Sequence, residues 1–205
     1  MISNGILRRS LLRGALLTAL WITTAMASPA EQPSAVVAFV AAQGLAAADP
    51  RVPQQQRFAQ LRSLFDQYFD IGHVAAFVLG HYRLLATPQE LQQHDNLYDT
   101  FTVLVYGNRL AQFAGARVQI TSGHSDGTEP VVTSEISRLN GGAAKIDWHL
   151  VDRHGRWKIS DIVIGDVSMR TSQRQYFAQW TSTNGGRFDA LLAVMQQQIA
   201  AARQG

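Results

Sequence analysis

The 205-residue chain reads as one α+β domain, in which helices precede and follow a curved four-stranded antiparallel sheet. Three observations predict it. Apolar residues recur at three- and four-residue spacing as far as Gly115. The period then drops to two over about 116–165, interrupted by Asp126-Gly127, Asn140-Gly141 and Gly155. Helical spacing returns from about residue 169 to the carboxyl end.

The first segment is read as a leader rather than as part of the fold. Arg8, Arg9 and Arg13 precede an apolar run from Gly14 to Ala25, and Ala25-Met26-Ala27 supplies small residues at a cleavage position, so 1–27 is expected to be a secretory signal peptide. The run falls short of the roughly 20 residues a membrane span needs. Paired arginines at 8 and 9 also resemble a twin-arginine signal, with Leu7 and Leu11 departing from that pattern, and the Sec route stays open beside it. Either route predicts a periplasmic protein with a mature domain over 28–205.

Charge narrows the function classes. The leader holds three of the 18 basic residues and none of the 15 acidic ones, which leaves the mature chain balanced at 15 against 15. Nucleic-acid binding requires a basic face that neutralises several phosphates, so no nucleic-acid partner is expected. Without cysteine there is no disulfide, thiol nucleophile or thiolate ligand. Packing alone must hold a domain of this size together.

Each element follows from local pattern. Val36, Val37, Phe39 and Val40 begin a helix that should stop near Asp49-Pro50. Phe58, Leu61, Leu64, Phe65, Tyr68 and Phe69 mark a second over about 54–69, and Val74, Phe77, Val78 and Leu79 a short third. Thr87-Pro88-Gln89-Glu90 is a capping box with proline at the first helical position, starting a helix that runs to Gly115, about 40 Å long. Strands are expected at about 116–124, 129–138, 143–153 and 156–165, then helices at 169–182 and 187–203 on either side of Asn184-Gly185-Gly186.

Motifs for chemistry are sparse. Gly123-His124-Ser125-Asp126-Gly127 has the spacing of a hydrolase nucleophile elbow, but β-forming residues follow it where an elbow needs a helix, so it reads as a hairpin. The six histidines show no metal-ligand spacing; Asp147 and His149 share a strand face opposite Trp148 and read as polar surface. No phosphate-binding glycine loop occurs, and no metal or cofactor is expected. The nine Phe, four Trp and five Tyr fall mostly on predicted helix faces, which suits a filled core or an apolar pocket equally.

WKISDIVIGDVSM from Trp157, RTSQRQYFAQW after it and NGGRFDALLAVM from Asn184 resemble the MlaC family of periplasmic phospholipid-binding proteins, as do FDIGHVAAFVLGHY at 69–82 and the Thr87-Pro88 helix start. SEISRLNGG, KIDWHLVDRHGRWKI and QRQYF look closer to its hopanoid-associated HpnM branch. His81 and Arg83 depart from the family pattern, which suggests a shifted pocket entrance. The resemblance implies an NTF2-like sheet wrapped by helices, with phospholipid or hopanoid tails between the two layers. It also implies partners: an outer-membrane lipoprotein complex, an inner-membrane ABC transporter complex, and transient docking at membranes.

Candidate lipid-binding wall residues, drawn from faces expected to oppose one another, are Phe77, Phe101, Val105, Val118, Ile120, Val132, Ile136, Trp148, Leu150 and Ile159. No catalytic residue is expected. Two alternatives stay open: an NTF2-like isomerase or dehydratase using Asp147, Asp161 and Tyr82, and an exported scaffold with a filled core.

Overall fold

The computed structural model describes residues 32–127, 129–137 and 141–204; the expected signal peptide lies outside the described residues. The amino-terminal helices are α1 (Pro33–Ala47), α2 (Gln54–Tyr68) and α3 (Ile71–Leu79), followed by a 3-10 turn at Gly80–Leu84. α4 (Pro88–Phe101) starts at the expected box: Thr87 Oγ1 accepts from Glu90 N at 3.2 Å, and Glu90 Oε2 accepts from Thr87 N at 2.8 Å. None of the described helices is long and apolar enough to cross a membrane.

The helix starting at Thr87-Pro88 does continue toward Gly115, but not as uniform α-helix. A π turn at Thr102–Tyr106 follows α4, then α5 (Gly107–Leu110) and a closing 3-10 turn at Ala111–Phe113. At 100° per residue, side chains four apart drift about 40° per step, so Tyr98 and Leu110 would stand about 120° apart on a straight helix. Wider winding through the π turn takes back part of that drift. Tyr98, Thr102, Tyr106 and Leu110 consequently border one space.

The sheet is an antiparallel meander of β1 (Arg117–Asp126), β2 (Glu129–Ser137), β3 (Ala143–Arg153), β4 (Arg156–Ile164) and β5 (Val167–Ser168). The expected count of four is thus corrected to five. Gly165 and Asp166 both have positive φ, 55° and 66°, which is the backbone a two-residue hairpin requires, and β5 is too short to show a period of its own. His154-Gly155 makes the same kind of turn between β3 and β4. Gly127 at φ 62° follows β1 directly, so Gly123–Asp126 is strand, and the elbow reading is excluded.

Register shifts at Ile120/Ser122 and His149/Leu150 bend the sheet, because an unpaired residue in one strand increases local twist. Val118 pairs with Ile136, Ile146 with Ile164 and Trp148 with Ile162, which sets large apolar side chains side by side on the inner face. α1 packs on β1 and β2, and α2 on α1 and β4. A second layer forms where α3 meets α6 (Met169–Thr183) and α4 meets α7 (Phe188–Ala202).

Two apolar cores result. One joins the sheet to α1 and α2; the other, around Tyr98, Phe101, Phe177, Leu191 and Met195, joins α3, α4, α6 and α7. Phe58, Ile71 and Tyr106 touch both.

Candidate functional site

Between the inner sheet face and the helices lies a cavity of about 470 Å³, within the range typical of small-molecule sites. The sheet contributes Val118, Ile136, Ile146, Trp148, Ile159 and Ile164. α1 and α2 contribute Val40, Ala41, Gly44, Leu61, Leu64 and Phe65. A Cβ built on Gly44 would meet nothing within 4 Å, so this helix leaves open space where a side chain would stand. Trp148, the largest wall residue, has its indole N–H satisfied by Ser134 Oγ at 2.9 Å and offers the cavity an apolar ring.

Polar groups in the wall are few and mostly committed to one another. The Tyr98 hydroxyl donates to Gln173 Oε1 at 2.5 Å, and burial pushes the pKa of Tyr98 well above the ordinary phenol value. Burial also raises that of Tyr106, against the opposing charge of Arg109. Both rings therefore stay neutral. Gln173 Nε2 is buried with no hydrogen-bond partner among the described residues.

Asp161 is held by three hydrogen bonds and one ion pair. Its Oδ1 accepts from Ile162 N at 2.9 Å and Arg170 N at 3.1 Å, while Oδ2 accepts from Ser168 Oγ at 2.5 Å and faces Arg170 Nε at 3.5 Å. The Asp161–Arg170 pair neutralises itself within the wall. Arg109, exposed at the edge beside Gln112 with its guanidinium 5.6 Å from the Tyr106 ring centre, has no ion-pair partner among the described residues.

Of the ten wall candidates, the structure brings Val118, Ile136, Trp148 and Ile159 to the cavity. The other six stand elsewhere, each for a packing reason. Phe77 faces α6, where the guanidinium carbons of Arg170 and Arg174 sit 4.9 and 5.1 Å from its ring centre. Phe101 packs at a tilt on Phe177, ring centres 5.5 Å apart, inside the second core, and Val105 packs against that core too. Val132 and Leu150 lie in the filled part of the first core. Ile120 packs beside them, next to the β1 register shift.

The corrected helix face is the Tyr98-Thr102-Tyr106-Leu110 stripe, whose four-residue spacing was present in the sequence but mixed polar with apolar. His81 and Arg83 are not among the residues of the wall. The three enzyme candidates are not brought together. Asp147 is on the outer sheet face with Lys145 and Thr133, Tyr82 is in the second core, and only Asp161 reaches the cavity. Among the described residues no cluster of three or more His, Cys, Asp or Glu could hold a metal ion.

Comparison with known proteins agrees with this architecture. A solved phospholipid-binding protein from Ralstonia solanacearum, in complex with a phospholipid, superposes with a TM-score of 0.68 at 20% identity, over 83% of this chain and 98% of that one. A toluene tolerance protein, ttg2D, from Pseudomonas putida is 22% identical over 124 residues, 60% of this chain and 58% of the relative's length. The model of the MlaC protein family matches residues 41–197, which take in all of the cavity wall except Val40, and the chain belongs to that family.

Proposed function

We propose that this protein is a periplasmic lipid carrier, holding the apolar part of a phospholipid or hopanoid in the cavity while it passes between the outer and inner membranes. The carrying observation is the cavity itself: about 470 Å³ between sheet and helices, walled mainly by aliphatic and aromatic side chains. A tail in water forfeits about 0.8 kcal/mol per methylene, so a 14-carbon chain asks roughly 11 kcal/mol of its container. An apolar wall of this kind supplies it without any covalent step.

Arg109, at the exposed edge and without an ion-pair partner among the described residues, suits a phosphate outside while tails lie within. Family membership supports the reading, and so does the phospholipid held by the Ralstonia protein of like fold. Hand-over would occur at an outer-membrane lipoprotein complex and an inner-membrane ABC transporter complex. Transfer needs a partner-bound state with lower affinity for the tails than the free state.

Native mass spectrometry of protein purified without detergent, followed by solvent extraction, tests this. A stoichiometric phospholipid or hopanoid adduct is expected and would name the cargo. An empty protein that takes up no lipid from vesicles would overturn the proposal in favour of the enzyme or the filled scaffold.

A further inference from the structure

The segment after α3 presents an apolar tip on a basic base. Leu84 and Leu85 are 87% and 66% exposed, more than any other large hydrophobic residue described. The tip is fixed rather than loose: Tyr82, between them and α3, is buried in the second core, and Leu85 N donates to Tyr82 O at 3.0 Å. Exposing two leucines costs solubility and adds nothing to this packing.

The loop itself carries no acid. Arg83 follows Tyr82, and between Asp70 and Glu90 there is no carboxylate; that of Glu90 caps α4 at Thr87. Arg174 closes on the same loop from α6. Gly80 has a φ of 56°, and a Cβ there would lie 2.8 Å from Arg174 Nε, so glycine both makes the turn and lets the guanidinium approach. Arg170, paired with Asp161, shares the Phe77 ring with Arg174 and also lines the cavity, which places this loop beside the cavity wall.

Two leucines supply little of the roughly 1,000 Å² of total surface that a stable protein interface buries. They do suit shallow insertion among lipid headgroups, with cationic side chains reaching the phosphates. We propose that the Leu84-Leu85 tip and the Arg83–Arg174 patch dock this protein on an anionic bilayer surface. This rests on the carrier reading and adds to it where cargo exchange begins.

Co-sedimentation with large unilamellar vesicles tests it. The wild-type protein is expected to bind vesicles of phosphatidylglycerol and phosphatidylethanolamine, to ignore pure phosphatidylcholine, and to come off as salt rises. The double variant Leu84→Ser/Leu85→Ser should bind at least about ten-fold more weakly, and Arg83→Glu about five-fold or more. Both should melt like wild type and keep their extracted lipid, because none of these side chains lines the cavity. Wild-type protein that leaves anionic vesicles unbound, or a double serine variant that binds as wild type does, would overturn the docking surface and turn attention to a protein partner. Carrier failure is read separately, as absence of lipid in the wild-type extract.

Discussion

At Gly44 a missing side chain is part of the site. A helical glycine costs about 1 kcal/mol relative to a good helix former, and here the vacated position opens onto the cavity. Gly44→Leu is therefore expected to leave the melting temperature of the delipidated protein unchanged or raise it while lowering extracted lipid several-fold. A variant that retains full lipid would show that this end of the cavity carries no tail. His94 tests another kind of burial. It is fully buried in α4, with Nδ1 3.1 Å from Asp95 Oδ1 and no partner on Nε2 among the described residues. Burial lowers its pKa below the ordinary 6.5, with Asp95 pulling the other way. A folded-state pKa below the unfolded one means the unfolded chain binds more protons as pH drops under about 6.5, so this contribution to stability is whole above that pH and shrinks below it. In melts between pH 7 and pH 5, His94→Leu should show a shallower decline than wild type.

Among the elements, the α4 cap separates stability from binding. Thr87 lies outside the cavity wall, and Thr87→Ala should cost about 1 kcal/mol, seen as roughly 2–4 °C in Tm, with lipid content unchanged. Loss of lipid with that modest destabilisation would mean α4 is set by its cap rather than by its packing. The cap also marks what local sequence can carry. Thr87-Pro88-Gln89-Glu90 and Asp126-Gly127 act through contacts a few residues apart, so both were legible, and so was the alternation that places Ile136 and Trp148 inward. The π turn at Thr102–Tyr106 and the register shift at Leu150 arise from how helix and sheet meet across the core, and no local pattern announces them. Choosing Phe101 and Val105 as wall residues followed the apolar face of the helix, and that face serves the second core. Tyr98 reads as one of the apolar positions of this helix, whereas Thr102 borders the cavity although a polar residue on a helix ordinarily signals solvent.

The whole molecule divides into a filled core and a hollow one, joined by Phe58, Ile71 and Tyr106. Filling the hollow should stabilise everything attached to it. A ligand at 100 times its Kd adds about 2.7 kcal/mol, so removing lipid should lower Tm by on the order of 5–10 °C for a chain of this size. Equal melting of lipid-loaded and delipidated protein would show that the cargo does not engage the wall.

The ties around the hollow are unevenly spread. On one side Asp70 N donates to Ile159 O at 2.9 Å, Arg153 pairs with Asp70 at 2.6 Å, and Asp161 holds the start of α6. On the other, α1 meets the sheet through apolar side chains, with no hydrogen bond across that seam among the described residues. Apolar contacts slide, whereas hydrogen bonds must break. The domain is thus hung like a door, with its hinge at β4 and α6 and its free edge at α1, and amides of α1 should exchange with solvent well before those of β4. On the carrier reading, a lipid entering or leaving would need to part only that edge, and the fold would survive each exchange of cargo without surrendering the sheet.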